Sequence, residues 1–386
     1  MIFDIDFILL NLLLFFTFLK AGVNIAKNKN YWDNANWCIV IFTFVQGCRF
    51  ARGNDYHGYS QLFKDGFNEE NPFFSYINEF LKLLGINQYS CFMVYAFVFI
   101  LCAMIFMHDY KRYAKYMFPL FLGGFLLFEE SMIRQAFSYS FFFIYLKYLF
   151  HIRINKISDI ISNKKNILLC VLFAILTVSI HTANIINIFV VTVLYLFWKI
   201  PFNPWYSIPT YICCVYILPN IFNFSWLEPI LNLAAESNKR AANYISNSEY
   251  WFSAEGKSDI YTKNNIMEFI QLIASSSVMY LGYKLIKNRF NDNNVLITLL
   301  NVFIIGLCIE SLFVNLEILH RIGQVMDRVG YFLVPIIIYY KPHNINFNNK
   351  LLYLSLIWFM YYYAKYIFFS GKVSMFIWDT PYSFFN

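Results

Sequence analysis

Four groups of polar residues interrupt this chain at places where chemistry could be done. The first is Arg49-Phe50-Ala51-Arg52-Gly53-Asn54-Asp55-Tyr56-His57-Gly58-Tyr59. Arginines three apart share a helix face if the preceding helix persists that far. Two guanidiniums so placed hold phosphate oxygens through paired N–H bonds. Gly53 and Gly58 permit a tight turn that exposes backbone N–H groups. Asp55 can orient an arginine or a sugar hydroxyl, while the plainer reading is snorkelling arginines with an Arg52–Asp55 ion pair. The second group is Glu129-Glu130-Ser131-Met132-Ile133-Arg134-Gln135. Arg134 stands between two apolar runs, where a charge is costly and therefore a functional candidate. Its structural alternative is an i,i+4 pair with Glu130. The third is His181-Thr182-Ala183-Asn184 in a short turn. His181 either caps a helix or, titrating near neutrality, binds phosphate or moves a proton. The fourth is Glu317, His320, Arg321, Gln324, Asp327 and Arg328. Arg321 and Arg328, seven apart, share a helical face. A Glu317–Arg321 pair on a solvated helix is the bland account.

Other chemistries find no support. There is no Walker loop, nucleophile elbow or paired metal-ligand spacing, so no cofactor and no metal are expected. The eight cysteines, Cys38, Cys48, Cys91, Cys102, Cys170, Cys213, Cys214 and Cys308, fall in or beside apolar segments and are expected only to pack.

The elements that must position these groups follow from composition. Of 386 residues, 59% are hydrophobic and only 14% are charged, too few charges to cover a water-exposed surface. Lipid must be the solvent for much of the chain, since apolar runs of spanning length recur from end to end. Helices are predicted at 2–19, 36–50, 89–107, 117–129, 133–150, 167–181, 184–199, 205–221, 266–286, 295–314, 329–341 and 350–369. The fold class is thus an all-α polytopic membrane protein with about 12 spans (about 10–14). The short connectors of 117–129/133–150 and 167–181/184–199 leave a re-entrant hairpin open at each. The first segment begins with Asp4 and Asp6 rather than a basic region, so it is expected to remain as a helix.

The net charge of +7 does not indicate nucleic acid, because Lys and Arg sit in short connectors. With the N-terminus outside, the inner connectors are the more basic, as topology requires. Both termini are then extracytoplasmic. The two long connectors, 49–88 and 220–265, lie outside, over a single membrane domain spanning 1–386. Within the second, Trp226 to Tyr244 mixes apolar and charged residues as a surface helix would. All four polar groups fall on this same outer face. Arginines brought there from separate helices suit an anionic lipid head group such as a diphosphate.

At these residues the sequence resembles the EpsG family, grouped with the Wzy-type polymerases of O-antigen, capsule and exopolysaccharide. The resemblance rests on Arg49…Arg52-Gly53-Asn54-Asp55-Tyr56…Tyr59, on Glu70-Asn71-Pro72-Phe73 leading to Asn78, and on Arg134-Gln135 before a helix. His181, Arg328…Tyr331 before Pro335, and the terminal Pro381-Tyr382 continue it. Asn54 departs from the small or hydroxyl residue expected between Gly and Asp. The resemblance implies glycosyl transfer at the outer leaflet of the bacterial cytoplasmic membrane, with a GT-C-like arrangement as one form open to the fold. A growing glycan leaves undecaprenyl diphosphate and joins an incoming lipid-linked repeat unit. Arg49, Arg52, Arg134, Arg321 and Arg328 would stabilise the leaving diphosphate, with Tyr56, Tyr59 and Gln135 beside it. Asp55, Glu70 or His181 would deprotonate the acceptor hydroxyl. The implied partners are lipid-linked glycans and membrane lipids, with chain-length regulators and flippases as candidate proteins.

A flippase for lipid-linked sugars would instead show mid-membrane ionisable residues and a two-half repeat. Glu268 and Glu310 are the acids expected within helices, and no repeat is evident. An O-antigen ligase or a membrane acyltransferase is the other competing class. The ligase would share the arginine logic but use a different acceptor.

Overall fold

A computed structural model of the chain describes residues 5–66, 72–153, 158–221, 265–314, 317–340, 347–369 and 375–384. Each expected apolar run contains a helix. The first stretch gives α1 (Ile5–Ala26), α2 (Tyr31–Gly47), the short strand β1 (Arg49–Phe50), α3 (Tyr56–Asp65), α4 (Pro72–Leu83) and α5 (Cys91–Met107). Then come α6 (Ala114–Ser131), α7 (Ile133–Leu149), α8 (Ser158–Ser162), α9 (Lys164–Ile180) and α10 (Asn184–Phe197). α11 (Pro204–Ile212) and α12 (Leu218–Ile221) flank a π-helical turn, Cys213–Ile217. The last elements are α13 (Asn265–Arg289), α14 (Asn294–Leu312), α15 (Glu317–Asp327), α16 (Gly330–Tyr339), α17 (Phe347–Phe369) and strand β2 (Met375–Phe376).

Asparagines set several helix starts, as side-chain acceptors do at orphan N–H groups. Asn30, Asn203 and Asn293 accept from the backbone N–H of Trp32, Trp205 and Leu296. Among the described residues, five stretches are long and apolar enough to cross a membrane: Ile5–Ala26, Cys91–Ser131, Ile266–Arg289, Asn294–Leu312 and Leu319–Tyr339. This is an integral membrane protein. The stretch Cys91–Ser131 holds two helices, because the chain leaves helical geometry at Tyr110 between α5 and α6. Among the described residues, α10, with 14 residues, is a shorter apolar helix.

Two expectations change. The helix predicted over 36–50 stops at Gly47, and the connector 49–88 is not plain loop, since it carries α3 and α4. The Trp226 to Tyr244 segment lies outside the described residues.

The chain divides into two compact units. The first comprises Met1–Phe197, Tyr331–His343 and Phe359–Asn386. Its aromatic centre is Phe99, Phe121, Phe125, Phe143 and Phe332, ring against ring. Glycines let helices touch there: a Cβ on Gly123 would lie 2.4 Å from the Phe359 carbonyl oxygen, and one on Gly124 would strike the Tyr331 ring. The helices alternate in direction. Phe7, Cys48, Phe376 and Ile377 cluster with Met93 and Tyr366, Tyr56, Phe92, Ile133 and Ile180 form a second cluster, and Phe50 packs against both. One end of the unit therefore collects the starts of α1, α5 and α7 and the ends of α2, α9 and α17. At the opposite end, Tyr31 donates to the Met104 carbonyl at 2.6 Å, Arg112 Nε to Tyr339 Oη at 3.0 Å, and Lys147 pairs with Asp109 at 2.7 Å.

The second unit comprises Trp198–Gly330 and Asn344–Trp358. Its closest packing joins α14 to α15, where a Cβ on Gly306 would lie 2.4 Å from Asp327 N and one on Gly323 would lie 2.3 Å from Glu310 N. Asn301 ties the approach to α11, donating to Ile200 O at 2.9 Å and accepting from Phe202 N at 2.8 Å.

Candidate functional site

The site is built from the turn that follows α2. Gly47 ends that helix in a close approach to α5, where a Cβ would lie 2.5 Å from Met93 Cα. Arg49–Phe50 then pairs antiparallel with Met375–Phe376, Arg49 opposite Phe376, and Ile377 N donates to Cys48 O at 2.9 Å. Ala51 (φ 54°) and Gly53 (φ 88°) both adopt left-handed backbone. Gly53 sits hard against α6: a Cβ would lie 2.1 Å from Glu130 O. Arg49 and Arg52 are thus not on one helix face, because strand pairing and these turns have already ended the helix. Gly58 takes no part in the turn; it lies within α3 with nothing near its Cβ direction.

The two arginines have different surroundings. Arg49 is fully buried. Its Nη1 donates to Glu129 Oε2 at 2.8 Å and to Gln46 O at 2.9 Å, and its guanidinium lies 5.4 Å from the Phe92 ring centre. Arg52, also buried, donates from Nη2 to Val45 O at 2.9 Å. It lies between the Phe7 and Phe376 rings, at 5.1 and 4.6 Å. Arg52 therefore turns to a carbonyl and two rings rather than making the expected pair with Asp55. Glu130 accepts from Tyr366 Oη at 2.5 Å. Several buried atoms here have no hydrogen-bond partner among the described residues: Arg49 Nε and Nη2, Arg52 Nε and Nη1, Glu129 Oε1 and Glu130 Oε2. Such groups are rarely left unsatisfied and call for ligand or water.

Around this core the other predicted residues take their places. Asp55 precedes α3 without a side-chain capping bond, and its carbonyl accepts from Tyr59 N at 2.9 Å. Tyr56 stacks on Phe92 at 4.3 Å; burial pushes its phenol well above the ordinary value. Its hydroxyl has no partner among the described residues. Tyr59 packs on the same apolar cluster. Arg134, in the first turn of α7, is half-buried, and Gln135 beside it is buried. His181 is half-buried at the end of α9. Its turn is tied to α7 through buried polar contacts, with Asn184 Nδ2 donating to Ser138 Oγ at 2.7 Å and Ser138 Oγ to Thr177 O at 2.7 Å. Ile133, next to Arg134, and Ile180, next to His181, join Tyr56 in one cluster. The fold thus brings Arg49 to Tyr59, Arg134 and His181 to one end of one unit. Glu70 lies outside the described residues.

The EpsG family model matches residues 35–384. This chain belongs to the EpsG family. No curated protein and no solved structure matches it. EpsG proteins are Wzy-polymerase-like, so the family context is polysaccharide biosynthesis.

The fourth polar group of this EpsG-family protein belongs to the second unit. Arg321 lies in α15, and Arg328 follows it; both are half-buried. His320 Nδ1 bonds the Glu310 carbonyl at 2.9 Å and Nε2 meets Gln324 Nε2 at 2.8 Å. The side chain of Glu317 lies outside the described residues, so the expected Glu317–Arg321 pair does too. Among the described residues, no group of three His, Cys, Asp or Glu could hold a metal ion.

Sequence reasoning missed three features of this candidate site. Glu129, not an acid in the same loop, holds Arg49. Tyr366 holds Glu130. The terminal segment covers the loop, with Phe376 on Arg52 and Tyr382 stacked on Phe50 and Tyr89. One signal was available: acids in the last turn of a helix and an arginine in the first turn of the next both oppose the helix dipoles, which marks Glu129, Glu130 and Arg134 as needing partners.

Proposed function

We propose that this EpsG-family protein polymerises oligosaccharide repeat units carried on undecaprenyl diphosphate, at the outer leaflet of the bacterial cytoplasmic membrane. The observation that carries the reading is the meeting of the Arg49–Tyr59 segment, Arg134 and His181 at one end of the first unit. In the proposed reaction the anomeric carbon–diphosphate bond of the growing glycan breaks and a bond to the acceptor hydroxyl oxygen forms. The hydroxyl proton passes to a base, and lipid diphosphate departs. Arg134, half-buried, and Arg52, with two donors that the described residues do not use, bind the diphosphate. Arg49, engaged by Glu129, holds the loop. Asp55 or His181 is the base; Glu70 remains a further candidate for that role. Tyr56, Tyr59 and Gln135 contact the sugar or diphosphate. Arg321 and Arg328 are assigned to the same substrate class within the second unit. About twelve spans in a GT-C-like arrangement, with chain-length regulator and flippase proteins as partners, complete the proposal.

The test is Arg134→Lys in the full chain, scored for membrane abundance and polymer ladder together. Lysine keeps the charge but not the planar, bidentate grip. Loss of one charge-assisted contact to the leaving group should cost about 2–4 kcal/mol of transition-state stabilisation, about a hundredfold in rate. Normal abundance with a collapsed ladder supports the role; normal abundance with a normal ladder refutes it. With purified protein and lipid-linked repeat units, translocation without laddering would mark a flippase. Transfer of single blocks to a core would mark a ligase.

A further inference from the structure

The connector 49–88 carries two helices with opposite surfaces. α3 turns Tyr56 and Phe63 inward and leaves His57, Gln61, Lys64 and Asp65 exposed, the pattern of a helix with one face in water. α4 buries Phe74, Asn78 and Leu81. Asn78 donates to Phe74 O at 2.6 Å and accepts from Tyr95 Oη, so this inward face is fixed. Its outward face is bare and apolar. Tyr76 is 71% exposed, Phe80 58%, Leu83 85%, and Leu84, just past the helix, 62%. Positions 76, 80, 83 and 84 recur at helical spacing and form one stripe.

A soluble surface seldom shows a contiguous apolar patch beyond a few hundred Å². The stripe is not a fraying end. Gly85 (φ 79°) closes α4, with Gly85 N donating to Lys82 O and Ile86 N to Leu81 O, a regular helix stop. The charged residues of α4 stay at its margin, where Lys82 pairs with Glu79 at 2.8 Å and its ammonium lies over the Phe63 ring. α4 also packs against α9 through the cluster that contains Ile180. α9 has its own bare stripe, Leu168, Val171, Leu172 and Ile175. Both helices thus carry bare apolar stripes, the surface a bilayer accommodates more readily than water. The neighbouring α3 shows what this connector looks like where it meets water.

We infer that α4 lies in the membrane interface at the end of the first unit that carries the Arg49–Gly53 turn, with Tyr76, Phe80, Leu83 and Leu84 among the acyl chains of bilayer lipids. Such a helix buries one face at the headgroup–acyl boundary and keeps its charged residues at the polar margin. The arginine turn is then flanked by a helix held down on lipid. This inference concerns bilayer lipid and holds whatever reaction the chain performs.

The test places p-benzoylphenylalanine at position 80 or 83 by amber suppression in the full chain, irradiates native membranes, and reads the adduct by intact mass. The same probe at Leu9, an exposed position on the candidate span α1, gives the lipid reference. Lys64 on α3 gives the aqueous one. Phospholipid adducts at 80 and 83 as at Leu9, and none at Lys64, are expected. Cross-links to another polypeptide or to this chain's own 220–265 connector would overturn the inference. So would lipid adducts at 80 and 83 no more frequent than at Lys64. If one probe position does not accumulate, Tyr76 on the same stripe gives the same reading.

Discussion

Breaking the Arg49–Glu129 contact should destabilise the first unit severely, and the two residues should be strongly coupled. The N–O distance is 2.8 Å and neither side chain reaches solvent. At an effective dielectric of about 20, that separation is worth about 6 kcal/mol of attraction, set against the desolvation of both ions. Deleting one partner leaves the other as an uncompensated buried charge, which costs about 3–5 kcal/mol. Glu129→Ala strands Arg49 with Gln46 O and the Phe92 ring. Arg49→Ala strands Glu129, whose Oε1 has no other partner among the described residues. The double variant removes both charges and should cost little more than either single one, giving a coupling of about 3–4 kcal/mol, close to the cost of one deletion. The assay is a double-mutant cycle on unfolding free energy in bicelles, with Lys82–Glu79 as an internal control. That pair has the same 2.8 Å spacing but is solvent-exposed, so its coupling should stay below about 1 kcal/mol. Additive losses at Arg49 and Glu129, or a coupling no larger than that of the exposed pair, would refute the reasoning.

Gly53→Ala should disorder the arginine turn, because its backbone is left-handed and the new Cβ meets the Glu130 carbonyl; Gly58→Ala should be neutral or stabilising by about 0.5–1 kcal/mol, and thermal stability in detergent compares them. Gly306→Ala or Gly323→Ala should force α14 from α15 and lower the melting temperature of the second unit, detected by differential scanning fluorimetry. Polymer formation should persist with a chelator, since the proposal gives the leaving-group charge to arginine; loss restored by one added metal would contradict it. A reporter active only in the cytoplasm, fused after Asn386, should stay silent, because basic residues concentrate in the alternate connectors.

The sequence by itself determined the apolar helices, and it determined them well because a spanning helix is a local property: some twenty residues must satisfy their own backbone and face lipid. It also brought residues 49–59, 134 and 181 to one end of a unit, since short connectors between antiparallel helices leave little choice. The EpsG resemblance rested on those same residues. It did not determine what the buried arginines touch. Spacing suggested Asp55 for Arg52 and Glu130 for Arg134, yet Arg49 found Glu129, 80 residues away, and Arg52 found rings from α1 and the C-terminal strand. Those contacts depend on Gly47 and Gly53 letting backbones approach, and on β1 pairing with β2 across the length of the chain. Only the tertiary structure decides such meetings, because periodicity records which way a side chain faces and not what stands opposite it.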